Sequence, residues 1–296
     1  MIIREALKEA MARFESADVP SSGLAAELLL MRAMQRDRAW LYAHAESALD
    51  TAEEREFLAF IEQRAAGMPT QYLTGCQEFW GIEFEVGPGV LIPRPETEHL
   101  IEVTLERLGS ALRLAPRPAL RNEPLRIADV GTGSGCIAVA LAMEFPAASI
   151  VATDNSSDAL EIARRNAAKH GVERRINFLQ ANLIEGAGAS SEFHAVVSNP
   201  PYIPQDEAAA LPREVRDHEP AGALFGGPDG LGAYRDLIAQ AAVSLKSGGL
   251  LVLELGHDSC RAVRELLDGS QQWQAVQVTN DLAGIPRVIS AIHVGS

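Results

Sequence analysis

The chain has 296 residues, 47% hydrophobic and 22% charged, which suits one large domain or two modest ones with a buried core and excludes collagen, coiled coil and wholesale disorder. With 40 acidic against 26 basic residues the formal net charge is -14, so the chain's field repels polyanions and gives no counterion-release drive toward DNA or RNA. Residues 1–75 hold 8 basic and 12 acidic residues and the remainder 18 and 28, so neither part is a basic arm. Cys76, Cys136 and Cys260 form no C-x-x-C or His-flanked pattern, which suggests neither a disulfide framework nor a metal site and suits a reducing, cytoplasmic compartment. Charges interrupt the N-terminus every few residues, and no apolar run approaches the roughly 20 residues a membrane span requires.

From Met1 to about Gly75 apolar residues recur at helical spacing, at Ile3, Leu7, Ala10, Met11 and Phe14, then at Leu24, Leu28, Leu29 and Met34. Pro20 is expected to end the first helix and Ser21 or Ser22 to cap the second. Thr51 with Glu54 reads as a capping box opening a third through Phe57, Phe60 and Ile61, with Gly67 and Pro69 stopping it. Between Gln77 and Val90 the alternation of Trp80, Ile82, Phe84 and Val86 predicts a hairpin joining two domains.

Helix and strand signals alternate from about Glu96. Strands are predicted at 126–130, 149–153, 176–179, 194–198, 249–255, 273–279 and 288–293, and helices centre on 138–143, 159–170, 233–245 and 261–267. Such alternation implies an α/β fold, parallel strands with crossover helices on both faces. The last two strands, joined only by NDLAGIPR, are too close in sequence for a parallel return and are expected to pair antiparallel. Leu108 to Pro124 reads as an exposed connection without chemistry.

Three motifs carry chemistry. The first strand of this region ends in Asp129 and runs into Gly131-Thr132-Gly133-Ser134-Gly135 before a helix. Glycines there permit tight turns and close approach of a ligand to backbone N–H groups at a helix start, although G-x-G-x-G is not the dinucleotide spacing and a plain strand-to-helix turn would read the same. The next strand ends at Asp154, whose carboxylate could accept both ribose hydroxyls of an adenosine or could instead cap the following helix. The sharpest signal is Asn199-Pro200-Pro201-Tyr202 directly after the strand HAVVS. The prolines remove N–H donors and fix φ, leaving loop carbonyls as directed acceptors, while Asn199 adds an amide oxygen and Tyr202 an aromatic face. A planar NH2 group held by Asn199 Oδ1 and the Pro200 carbonyl would be drawn toward a tetrahedral nitrogen ready to attack a methyl donor. The three motifs meet if the strand before Asn199 lies beside the one ending at Asp129. Cys136, at the helix start, stands where a thiolate could be stabilised but has no neighbouring histidine, and Ser134 has no G-x-S-x-G elbow.

These residues resemble the class I S-adenosylmethionine-dependent methyltransferases, and within them the protein-(glutamine-N5) methyltransferases that modify peptide chain release factors. The resemblance covers nearly the whole chain and rests on PTQYLTGCQEFWGIEFEVGPGVLIPRPETEHLIE, DVGTGSGCIAVALA, TDNSSDALEIARRNA, SNPPYIP and EPAGALFGGPDGLGAYR in that order. It implies a Rossmann-like, mostly parallel seven-stranded sheet with an antiparallel last strand, preceded by an all-helical domain that helps bind the release factor. The implied division is 1–75 helical, 76–95 hairpin linker and 96–296 catalytic. It also implies S-adenosylmethionine bound by Asp129, Gly131, Thr132, Gly133, Ser134, Gly135 and Asp154, with Asn199 near the methyl donor, and substrate glutamine bound and activated by Asn199, Pro200, Pro201 and Tyr202. Where the family often has Asp and an aromatic against adenine, this chain has Asn182-Leu183, which are expected to hydrogen-bond the base and pack on its ring. The roles of Arg94, Glu96 and Glu98 stay open, because helix capping explains Thr97 and its acidic neighbours about as well.

The expected reaction is methylation of the glutamine amide in the Gly-Gly-Gln segment of class I release factors, with no nucleic acid or membrane partner. Two rivals stand beside it. An N6-adenine or other nucleic-acid amine methyltransferase would use the same loop, against the net charge and without a target-recognition segment. A catalytically idle binding module would keep the fold as scaffold.

Overall fold

The computed structural model describes residues 1–114, 124–187 and 192–295. They form two compact units, the first comprising Met1–Cys76, Val86–Pro88 and Leu211–Glu219, and the second Gln77–Glu85, Gly89–Ala210 and Pro220–Ser296.

The first unit is helical: α1 (Ile3–Ser16), α2 (Ser22–Met34), α3 (Arg38–Ala43), α4 (Thr51–Ala65) and α5 (Thr70–Thr74). Ile3, Ala6, Ala10 and Phe14 of α1 meet Leu29 and Leu30 of α2 and Phe57 and Ile61 of α4 in one apolar core. Two capping expectations shift. Ser21 precedes α2 in a left-handed conformation with φ 53° and makes no capping bond. The capping box of α4 is Asp50 with Glu53, one residue earlier than expected, because Asp50 takes the extended backbone while Thr51 is already helical. Glu54, freed from the box, pairs with the N-terminal amine at 2.9 Å. Gly67 interrupts the chain as expected, with φ 109°.

The second unit opens with the hairpin β1 (Cys76–Phe79) and β2 (Ile82–Glu85), whose turn holds Trp80 at φ 54°. Helix α6 (Glu98–Leu114) runs through Leu108, so the connection expected from that residue begins only after Leu114, and its core, 115–123, lies outside the described residues. Then come β3 (Arg126–Val130), α7 (Cys136–Glu144), β4 (Ser149–Asp154), α8 (Ser157–Lys169), β5 (Ile176–Gln180) and β6 (Phe193–Ser198). The short α9 (Arg213–His218) belongs to the helical unit, where Glu214 pairs with the buried Arg64. The rest is α10 (Ala221–Leu224), α11 (Gly232–Ser244), β7 (Leu245–Glu254), α12 (Cys260–Asp268), β8 (Trp273–Asn280) and β9 (Pro286–His293).

Seven strands make one sheet in the order β5-β4-β3-β6-β7-β9-β8. The first five run parallel, and β9 is antiparallel to both β7 and β8, as the short β8–β9 connection requires. Alternate residues of each strand feed opposite cores: Ile127 packs with α6 and α7 on one face, and Ala128 and Val130 pack with α11 and α12 on the other. Every residue from Cys136 to Ala142 of α7 is buried, which explains its nearly unbroken apolar sequence. Among the described residues no helix is long and apolar enough to cross a membrane.

Candidate active site

Strand order reverses between β3 and β6, and the register pairs Val130 with Ser198 and with Thr153, so the loops after β3, β4 and β6 leave the sheet at one level. This is the switch point at which open α/β sheets bind ligands. The three motifs met in the sequence converge there.

The glycine loop is held from behind. Gly131 and Thr132 donate their backbone N–H groups to the Thr153 carbonyl at 2.9 and 2.8 Å, and Gly133 N–H donates to Asp154 Oδ2 at 2.9 Å. Asp129 is fully buried and accepts from Thr132 Oγ1 at 2.6 Å and from Ala138 N–H at 3.0 Å. Burial pushes its carboxyl up to about 7, Asp154's charge adding to the rise while the two hydrogen bonds oppose it. Asp129 is thus placed to shape the loop from beneath and forms no part of the cavity wall. Asp154 does line the cavity. It does not cap α8: that role falls to Ser156, whose Oγ accepts from Ala159 N–H at 3.2 Å, while Asp154 Oδ1 accepts from Ser156 N–H.

The loop after β6 is clasped by a second glycine-rich segment. Ile203 N–H donates to the Leu224 carbonyl at 2.9 Å and Gly226 N–H returns a bond to the Ile203 carbonyl at 3.0 Å. A Cβ on Gly226 would lie 2.5 Å from the Pro201 carbonyl oxygen, and one on Gly230 2.4 Å from that of Tyr202, so both positions need glycine for backbone to pack on backbone. Asn199 Nδ2 donates to Thr97 Oγ1 at 3.2 Å, Thr97 Oγ1 donates to Glu254 Oε2 at 2.7 Å, and Tyr202 OH donates to Glu254 Oε1 at 3.3 Å. Burial raises the Glu254 carboxyl to about 7, against the pull of the Thr97 and Tyr202 hydrogen bonds. The same desolvation, with the Glu254 charge, raises the Tyr202 phenol.

These loops enclose a cavity of about 530 Å³, within the range of small-molecule sites. Gly131, Thr132, Gly133, Ser134, Asn182, Leu183, Asn199 and Pro201 line it with Asp154, and Gly135, Pro200 and Tyr202 are next to lining residues in the chain. Leu183 holds φ 53°, a strained backbone for a γ-branched residue at a site wall. The tyrosine ring lies against Gly256, where a Cβ would come within 2.7 Å of it. Cys136 also lines the cavity, but burial and the Asp129 charge raise its thiol to about 12, the reverse of the stabilised thiolate that its helix-start position suggests. From sequence the role of Arg94 stays open and Thr97 reads as a helix-capping residue. Both line the cavity, and Thr97 points its hydroxyl at Glu254. Glu254 was missed altogether; its signal is a lone carboxylate ending the apolar run LLVLELG, the strand-end position that Asp154 holds on β4. Glu98 accepts from Trp80 N–H at 2.8 Å and Glu96 faces Arg287 at 3.7 Å, so neither belongs to the cavity.

Strand-tip carboxylate, glycine loop and a loop of directed acceptors at one switch point define a class I S-adenosylmethionine-dependent methyltransferase. Solved structures share the fold: the hMettl16 catalytic domain, in complex with an RNA hairpin, matches with TM-score 0.55 at 16% identity over 78% of this chain and 81% of its own. A methyltransferase from Pyrococcus furiosus matches with TM-score 0.50 at 18% identity over 74% and 91%. Residues 5–75 match the model of the PrmC N-terminal domain and 109–214 that of the methyltransferase small domain. Release factor glutamine methyltransferases of Koribacter versatilis and Moorella thermoacetica are each 43% identical over 98% of both chains. The chain belongs to the release factor glutamine methyltransferase family.

Proposed function

We propose that the chain transfers a methyl group from S-adenosylmethionine to the side-chain amide nitrogen of the glutamine in the Gly-Gly-Gln segment of class I release factors. The observation that carries this reading is that Asn199 and Pro201 of the acceptor loop line the same cavity as the glycine loop and Asp154. The residues present fit the cofactor: a carboxylate at a strand tip suits vicinal hydroxyls, and the carboxylates of Asp154 and Asp236 on the cavity wall suit a cation. Asp154 would hold the ribose, the loop Gly131 to Gly135 the amino-acid end, Asn182 the base amine and Leu183 its ring. When bound, S-adenosylmethionine would supply an electrophilic methyl and be left as S-adenosylhomocysteine, the methylated nitrogen releasing one of its protons to solvent.

The chain's own part is to hold and polarise the nitrogen. Asn199 Oδ1 and the Pro200 carbonyl would accept the two hydrogens of the glutamine amide, withdrawing its lone pair from the carbonyl. Pro200 and Pro201 contribute no N–H that would compete, and their fixed φ keeps the acceptors in place before substrate arrives. Tyr202 would close the far side of the planar group. Residues 1–75 would hold the release factor, 76–95 would link, and 96–296 would carry the chemistry. The expected cytoplasmic location suits a partner that works in translation.

Labelled S-adenosylmethionine offered with purified release factor, duplex DNA and ribosomal RNA tests the reading. One methyl on the Gly-Gly-Gln glutamine by peptide mapping, lost in Asn199→Ala with cofactor affinity kept, is the expected result. Label in nucleic acid alone would overturn the substrate, and unchanged turnover in Asn199→Ala would overturn the role of that residue.

A further inference from the structure

One buried carboxylate reaches both ends of the acceptor loop, Tyr202 directly and Asn199 through Thr97. Glu254, at the tip of β7, is 3% exposed, and its two oxygens are divided: Oε2 takes the hydrogen of Thr97 and Oε1 that of Tyr202. The strand end that carries it is itself fastened, since Tyr234 OH donates to the Glu254 carbonyl at 2.8 Å and accepts from Gly256 N–H at 3.2 Å. Glu254, with both oxygens engaged by Thr97 and Tyr202, does not line the cavity.

The consequence follows from counting hydrogens. A threonine hydroxyl has one hydrogen and two lone pairs. With Glu254 ionised and the threonine hydrogen directed at its Oε2, Thr97 Oγ1 presents only lone pairs to Asn199. The asparagine must then turn Nδ2 toward Thr97, because the opposite rotamer would set two acceptor oxygens against each other. The rotamer that satisfies Thr97 leaves Oδ1 for the other side, and Asn199 and Thr97 are both on the cavity wall. An asparagine without this constraint could offer a substrate NH2 group its own NH2 instead, donor against donor.

We propose that Glu254 and Thr97 are positioning residues for methyl transfer: the chain from Glu254 through Thr97 to Asn199 sets the orientation of the Asn199 amide, so that an oxygen and not a nitrogen meets the nitrogen to be methylated. The proposal rests on the reading of Asn199 as the acceptor for that nitrogen. It assigns the threonine of the PRPET stretch a task other than helix capping, and Glu254 a task other than filling the core.

The test compares Thr97→Val, which keeps the shape and removes the hydroxyl, with Thr97→Ser, which restores it. In the ligand-free protein the Asn199 side-chain NH2 resonances, assigned by their loss in Asn199→Ala, should show slowed exchange in the wild type and Thr97→Ser. Fast exchange is expected in Thr97→Val and Glu254→Met. In methyl transfer, Thr97→Val should lower kcat roughly 10- to 100-fold, the size expected for a misdirected buried hydrogen bond, with cofactor Kd little changed, the melting temperature lowered by several degrees, and Thr97→Ser close to wild type in both. Combined with Asn199→Ala, Thr97→Val should add nothing further, because both act on one group. Unaltered Asn199 amide exchange in Thr97→Val, or full additivity in the double variant, would overturn the proposal. Wild-type protein that labels nucleic acid and not release factor would overturn the substrate reading alone, since the amide-exchange arm needs no substrate. If Glu254→Met does not fold, the Thr97 pair decides the matter unaided.

Discussion

Replacing Asp129 by asparagine isolates the energetic cost of a charge placed under the glycine loop. The side chain is fully buried, one oxygen accepts from Thr132 Oγ1 and Ala138 N–H, and the other has no hydrogen-bond partner. Its carboxyl stands at about 7 against 3.8 for the free group. A folded-state value above the unfolded one means that the fold favours the protonated form. The associated stability is fully present below about pH 3.8 and is lost as pH rises through about 7. Each unit corresponds to about 1.4 kcal/mol, so between pH 5 and 8 the wild type loses on the order of 3 kcal/mol through this group. Asparagine keeps the shape and an acceptor for both donors and does not titrate. Urea unfolding of both proteins at pH 5, 6, 7 and 8, analysed with a common slope, should show Asp129→Asn gaining about that much relative to wild type across the range. A difference between the two proteins that stays constant with pH would refute the account of Asp129 as a carboxylate held against its charge.

Other outcomes are expected from the same geometry. Asp154→Ala should weaken S-adenosylmethionine binding roughly 10- to 100-fold by calorimetry, through loss of a charged acceptor and of the bond to Gly133 N–H; equal affinity would remove Asp154 from the site. Gly226→Ala would push a methyl group onto two backbone oxygens, those of Pro201 and Gly230, at 2.5 Å each. It should cost about 2 to 4 kcal/mol in denaturant unfolding and reduce methyl transfer by displacing the acceptor loop; wild-type stability would contradict the clasp. Asn166, fully buried, accepts from Glu85 N–H and donates to the carbonyls of Glu85 and Ser134, tying the hairpin to the glycine loop. Asn166→Ala should therefore destabilise by about 3 to 5 kcal/mol, and a loss under about 1 kcal/mol would show that water replaces those bonds.

The two kinds of legibility in this chain have different physical origins. Periodicity located all seven strands of the sheet to within a few residues, because the central strands, buried on both faces, must be apolar along their length, the edge strand β8 alternates, and a covering helix must carry an apolar stripe. Caps were less legible. Thr51 and Asp50 are both good N-cap residues, and which one takes the extended backbone is decided by how α4 packs. The glycines of FGGPDGLG read only as a loop, since nothing local reveals that Gly226 and Gly230 face the carbonyls of Pro201 and Tyr202. Arg94 stayed open and Thr97 read as a cap for the same reason: a polar residue near a helix start has a local use available, and its actual partner, for Thr97 a glutamate 157 positions away, is not part of that neighbourhood.

What this chain's sequence determined by itself is the order of elements and the chemistry of the three strand-end motifs. Those depend on residues adjacent in the chain, where spacing, φ restriction and donor count act directly. Only the tertiary structure decided that β6 lies beside β3, bringing Asn199 to the glycine loop, and that Glu254 and Thr97 stand behind it. Hydrogen-bond direction and desolvation depend on which distant groups share a buried volume. A carboxylate raised to about 7 and an amide turned one way are therefore properties of the packed molecule, written in no segment of the chain alone.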